Sequence, residues 1–246
     1  MVGQFARTQL LLGKPAMQRL AYARVIVFGL GGVGGSAVDA LARSGIGSID
    51  VVDNDVIGLS NLNRQLLATH DTLGMRKTDA MAKHIAAINP NCAVRTHDCF
   101  YLPATANEFD LASFDYVLDA VDTLTAKLQL VQSAQSAHVP IISCMGMANK
   151  LDPSLLRVSD IFETSICPLA RVMRKEARKR GLGHFKAVYS IEPALTPQPD
   201  EETYEPIPEG SSRRSLPGST AFVPPAAGLL MASEVVRDLI PDELPR

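Results

Sequence analysis

From residue 25 onward, short apolar runs alternate with segments whose apolar residues recur every three or four positions. The runs over 25–28, 49–52, 92–96, 116–120 and 140–144 predict strands, and the amphipathic stretches over 33–43, 77–88 and 125–137 predict helices. Gly45 stops the first helix, and Asn89-Pro90 stops the second because the residue before a proline is pushed out of the helical region. Strand–helix alternation with such short connections implies a mostly parallel sheet with helices on both faces, a doubly wound α/β fold. Ahead of it, 5–23 reads as a helical lead-in with Leu10, Leu11, Met17, Leu20 and Ala21 as packing residues. After Gly146 the rhythm changes: a strand over 155–158, a strongly basic helix over 168–180 and a strand over 187–191. Residues 196–219 mix Pro, Gly and acids and bury little, so a mobile surface loop is expected, and an apolar-faced helix over 225–240 returns to the sheet. The expected organisation is a single domain, with a core over 5–146 and a C-terminal extension over 147–246.

The chemistry begins where the first strand meets the first helix. Gly29-Leu30-Gly31-Gly32-Val33-Gly34 follows Val25-Ile26-Val27-Phe28 directly. In that setting glycines allow a tight turn and close backbone approach, while the helix start offers unpaired N–H groups and about half a positive charge to an anion. A nucleotide phosphate fits there. Asp53 ends the second apolar run, where a carboxylate can accept hydrogen bonds from ribose hydroxyls. So far NAD, FAD and ATP fit equally. Asn61-Leu62-Asn63-Arg64-Gln65, Lys77 and Asp122 then follow. An arginine, a lysine and a strand-end aspartate around one pocket suit a triphosphate with its metal better than a nicotinamide.

Composition narrows the classes. The chain has 246 residues, 46% hydrophobic and 20% charged, with net charge −2. That is the profile of an ordinary globular domain, and nucleic acid could be held only by a local patch. The N-terminus lacks a secretory pattern, and the best apolar stretch, 221–240, is interrupted by Pro224, Pro225, Glu234, Arg237 and Asp238. No membrane span and a cytoplasmic location are expected. Cys92, Cys99, Cys144 and Cys167 form no Cys-x-x-Cys pair, which argues against a four-thiolate zinc site and for reduced, buried thiols.

Taken together, Gly29-x-Gly31-Gly32-x-Gly34, Asp53, Asn61-x-x-Arg64-Gln65, Lys77 and Asp122 resemble the ThiF/MoeB-like adenylating family, relatives of the ubiquitin-activating enzymes, over residues 5–145. Within it the likeness is strongest to the tRNA threonylcarbamoyladenosine dehydratases. It extends to Asp160, Cys167-Pro168-Leu169-Ala170, Tyr189-Ser190-x-Glu192 and Pro217-Gly218-Ser219-Thr220-Ala221-Phe222. The resemblance implies ATP and Mg²⁺, a homodimer, and attack of a carboxylate on the α-phosphate to give an acyl-adenylate and pyrophosphate. For the dehydratases that carboxylate belongs to the threonyl group of a modified tRNA adenosine. The carbamoyl group then closes onto the activated carbonyl and AMP leaves. Whether a sulfur-relay protein partners it stays open. The competing readings are adenylation of a ubiquitin-like sulfur carrier, a nucleotide-sensing module without chemistry, and a Rossmann oxidoreductase, which would give Arg64, Lys77 and Asp122 no role.

Residue roles follow from the charge that gathers when two anions meet. Arg64 serves as a fork for two phosphate oxygens and Lys77 as a point charge. Asp122, at a strand's carboxyl end, is the expected Mg²⁺ ligand. Asp119 should face elsewhere because alternate strand residues point to opposite sides. Asp55, Asn61 and Gln65 are expected in polar contact with the nucleotide, and Arg7 is similar to the arginine that one subunit of this family lends to its neighbour's ATP. Cys167 is read as structural. Arg171, Arg174, Lys175 and Arg178 recur at helical spacing, with Leu169, Val172 and Met173 facing inward, and the segment 168–180 carries net +5. Such a stripe is the expected footprint of tRNA phosphates, with Arg213 and Arg214 as additions.

Overall fold

The computed structural model describes residues 3–198 and 217–242. Helix α1 (Ala6–Tyr22) precedes β1 (Arg24–Phe28), α2 (Gly32–Arg43), β2 (Ser48–Val52), α3 (Lys77–Ile88), β3 (Ala93–His97), β4 (Tyr116–Asp119), α4 (Leu124–Ser136) and β5 (Ile141–Cys144). Strand β6 (Leu156–Asp160), α5 (Pro168–Arg180), β7 (Lys186–Ser190) and α6 (Val223–Leu239) complete the chain. The strands form one sheet in the order β3-β2-β1-β4-β5-β7-β6. Every pairing is parallel except β6 with β7. Helices α1, α2, α3 and α6 share one apolar layer with one face of the sheet, and α4 and α5 pack on the other. This is the doubly wound sheet the apolar pattern predicts.

Every predicted strand and helix is present, with boundaries within two residues, and α3 and α5 have the predicted ends. One packing expectation fails. Leu10 is 88% and Leu11 69% exposed, and Ala21 is exposed too, whereas Ala16 and Leu20 are buried. The cause is a break inside α1 at Gly13, φ +85°, followed by Pro15, so that the two halves do not share one continuous apolar face: Leu10 and Leu11 point to solvent while Leu12, Ala16 and Leu20 meet the core.

Connections after β1 run first to β2 and β3 on one side, then to β4 on the other. The crevice between β1 and β4 is therefore the point where ligands bind in open α/β sheets. At the same end of the sheet the chain turns at Asn149, φ +58°. Its carbonyl accepts from Leu195 N–H at 2.9 Å, its N–H donates to Gly218 carbonyl at 2.8 Å, and its Oδ1 accepts from Gly218 N–H at 2.7 Å. The expected loop over 196–219 lies mostly outside the described residues, as do Arg213 and Arg214. Among the described residues no helix is long and apolar enough to cross a membrane.

Candidate nucleotide cleft

A cleft of about 570 Å³ opens at the carboxyl ends of β1, β2 and β4. The turn out of β1 shapes its floor. Gly29 has φ +90°, and a Cβ there would lie 2.7 Å from the Ala120 carbonyl oxygen. A Cβ on Gly34 would lie 1.8 Å from the Gly29 carbonyl oxygen. The turn thus has no room for a side chain at either place. Gly34 does not line the cleft; it lets α2 start close beneath the turn. Gly31 and Gly32 do line it, and no side chain caps the first turn of α2, leaving that helix end facing the cleft.

Asp53 closes the second side. Its Oδ2 accepts from Leu30 N–H at 2.6 Å and its Oδ1 from Asp55 N–H at 2.8 Å, so the carboxylate is fixed to the glycine turn. Each oxygen keeps a lone pair for a further donor. Lys77, the first residue of α3, is buried, with Nζ 2.6 Å from Asp55 Oδ2 and 3.8 Å from Asp53 Oδ1. Arg64 is half-buried, and its Nη1 donates to Ser60 carbonyl at 2.8 Å and Asn63 Oδ1 at 2.9 Å. Both acceptors are neutral, and burial lowers its guanidinium pKa. Asp122 is exposed in the cleft and accepts from the Thr123 hydroxyl at 3.3 Å.

Asp53, Asp55, Asn61, Arg64, Gln65, Lys77 and Asp122 therefore converge as the sequence predicts. Asn61 spends its Oδ1 on Gly58 N–H at 3.0 Å, closing the turn that aims Arg64. Arg7 lies elsewhere in its own chain: neighbouring Phe5 packs beside Gly45, at the opposite end of the sheet. Asp119, the last residue of β4, is buried and does not line the cleft, its carboxylate being bound by Lys127 and Ser143.

Cys99, Phe100 and Tyr101, just past β3, form a wall that the sequence reading omits. Tyr101 and Phe109 stack edge-on against Phe28 at 4.8 and 5.3 Å. Their signal was position, immediately after a parallel strand. Lys127 also goes unmarked by any motif; it sits on the apolar face of α4 and pairs with Asp119 at 3.1 Å. A lysine in register with Leu124, Leu128 and Val131 was the clue.

Of the basic stripe on α5, Arg174 is engaged within the domain, while Arg171, Lys175 and Arg178 are exposed. Arg174 donates to the Thr164 carbonyl at 2.8 Å and to its hydroxyl, and the Arg178 guanidinium sits 5.1 Å from the centre of the Phe162 ring. Val172, expected inward, is 42% exposed, because the inward face is Ala170, Met173 and Ala177. Leu169, near the start of α5, lies beside Gly146, beyond the carboxyl end of β5, so α5 begins on the cleft side. Cys167 is buried ahead of α5, and burial pushes the Cys144 thiol up to about 12. Among the described residues no group of three His, Cys, Asp or Glu side chains is placed to hold a metal.

The family model described as ThiF family matches residues 5–243. The tRNA threonylcarbamoyladenosine dehydratase of Bacillus subtilis is 40% identical over 245 residues, covering 98% of this chain and 96% of that protein. The dehydratase of Escherichia coli is 34% identical over 205 residues, 80% of this chain and 76% of that one. The crystal structure of the E. coli enzyme in complex with ATP superposes with a TM-score of 0.85 at 28% identity, covering 98% and 97% of the two chains.

Proposed function

The chain belongs to the ThiF family, and from that premise we propose that it is an ATP-dependent tRNA threonylcarbamoyladenosine dehydratase. The convergence of Arg64 and Lys77 on the glycine turn carries this reading, and 40% identity to a dehydratase along nearly the whole length of both chains supports it over a sulfur-carrier activator. The triphosphate lies along the turn and the start of α2, Asp53 takes the ribose hydroxyls, and the base extends toward Phe100 and Tyr101. Asn61 and Gln65 line the phosphate side, with Asp55 holding Lys77.

A threonyl carboxylate oxygen attacks the α-phosphorus, a new P–O bond forms, and the bond to the bridging oxygen breaks with release of pyrophosphate. Arg64 and Lys77 offset the charge that builds on the phosphate oxygens. The carbamoyl group then bonds to the activated carbonyl carbon and gives up a proton, the bond from that carbon to the AMP oxygen breaks, and AMP leaves carrying that oxygen, so the base has lost the elements of one water. Mg²⁺ would neutralise phosphate charge, and the exposed carboxylate of Asp122 in the cleft matches its habit of taking one or two protein oxygens. The exposed leucines of α1 suit a homodimer in which Arg7 of the partner subunit completes the cleft. Arg171 and Lys175 hold tRNA phosphates, and the enzyme works in the cytoplasm.

Purified protein with ATP, Mg²⁺ and tRNA bearing threonylcarbamoyladenosine should release AMP and pyrophosphate in equal amounts and yield a nucleoside lighter by one water. Turnover with a sulfur-carrier protein and none with tRNA would overturn the assignment.

A further inference from the structure

The buried pair Asp119–Lys127 has no part in the chemistry above, yet it lies directly under it. Asp119 is 0% and Lys127 1% exposed. Lys127 Nζ stands 3.1 and 3.2 Å from the two Asp119 oxygens and 2.6 Å from the Cys144 carbonyl oxygen. Ser143 Oγ donates to Asp119 Oδ2, and Val121 N–H donates to Oδ1 at 3.2 Å. One carboxylate therefore ties together the end of β4, the 120–123 turn, α4 and the end of β5.

Two ions taken out of water are usually no more stable than apolar side chains of the same volume. Such a pair earns its place through geometry, and here the geometry has no slack. Ala120 N–H donates to Phe28 carbonyl at 2.8 Å, and the Ala120 carbonyl abuts Gly29 so closely that a Cβ there would clash. Ala120, Val121, Asp122, Thr123 and Ala126 all line the cleft. A small shift of the Val121 peptide would move Asp122 and press on the glycine turn together.

We propose that Asp119 and Lys127 are positioning residues, a buried clamp that fixes the 120–123 turn so that Asp122 is held toward the phosphates. This rests on the role proposed for Asp122, and the turn's rigidity can be measured without it.

The test compares wild type with Asp119→Leu/Lys127→Met, which removes both charges together, and with Ser143→Ala, which removes one bond and leaves the charges. Melting temperature, hydrogen exchange of the Val121 amide, and the kcat and KM of AMP formation are read in each. The double variant leaves the Val121 N–H and the Cys144 carbonyl without partners, so it should fold but melt below wild type, exchange the Val121 amide at least tenfold faster, and lose on the order of tenfold to 100-fold in kcat, because a displacement of about 1 Å suffices for such a loss. Its KM for ATP should change less than threefold. Ser143→Ala should show the same pattern at several-fold size, and it decides the matter if the double variant fails to fold. Unchanged Val121 exchange and kcat in a folded variant would overturn the clamp. Wild type inactive on tRNA would overturn the proposed function instead, and faster Val121 exchange in the variants would still support the clamp.

Discussion

Lys77 Nζ lies 2.6 Å from Asp55 Oδ2, a buried ammonium tied to a carboxylate that is itself largely exposed. A phosphate arriving in the cleft competes with that carboxylate for the same cation. The exposed partner can swing away into water; the lysine cannot. Lys77→Ala and Arg64→Ala should each lower the rate of AMP formation on the order of 100-fold. Asp55→Asn should change it only a few-fold. Single-turnover assays with radiolabelled ATP check both, and an Asp55→Asn loss equal to that of Lys77→Ala would show that the carboxylate acts directly.

Glycine substitutions separate the fold of the turn from the lining of the cleft. Gly34→Ala forces a Cβ against the Gly29 carbonyl oxygen and should destabilise the protein by about 3 kcal/mol. Gly31 has φ −70°, and the nearest atom to a Cβ there is Gln65 Nε2 at 4.0 Å. Gly31→Ala should melt near wild type and weaken ATP binding alone. Thermal melting and calorimetry with ATP distinguish the two effects.

The contacts of α5 sort its cations. Replacing Arg171 and Lys175 by alanine should weaken tRNA binding and flatten its salt dependence by roughly 1 to 2 in log–log slope, while melting stays unchanged. Arg174→Ala frees the Thr164 carbonyl and should lower the melting temperature as well. Filter binding across a salt series, with melting in parallel, is the check. Equal affinity of wild type and the double variant at every salt concentration would remove Arg171 and Lys175 from the tRNA interface.

An alkaline limb in stability is expected from the cluster where α6 meets the sheet. Tyr116 donates its hydroxyl to Asp238 Oδ2 at 2.7 Å, and burial together with that carboxylate raises its pKa. Burial works against the Lys186 charge, yet hydrogen bonds to Asp238 and Glu234 outweigh it and raise that pKa too. Both groups titrate higher when folded. Their stabilisation is complete below the ordinary values of 10.0 and 10.5 and is lost as pH rises through the folded values. Melting temperature should fall above about pH 10, and Asp238→Asn should flatten that fall. Parallel curves for the two proteins would refute the linkage.

What the sequence made legible was whatever rests on local periodicity and chain order. The strands, the helices and the cleft residues from Gly29 to Asp122 are of that kind, because a parallel sheet delivers every strand's carboxyl end to one edge. What it hid depends on partners far along the chain. Nothing local to Arg174 shows that Thr164 will engage it, and nothing local to Lys127 names Asp119. Leu10 and Leu11 fit a helical stripe, but Gly13 turns that stripe away from the domain. Phe100 and Tyr101 were reachable through their position after β3, a rule that applied as well to them as to Asp53.

Asn149 receives the chain at Leu195 and takes it up again at Gly218, so a single residue fastens both ends of the excursion between them. Through that one residue the chain leaving β7 and the chain approaching α6 share a single fastening. A change at Asn149 would therefore be felt at the exit of β7 and at the approach to α6 together, two places far apart along the sequence.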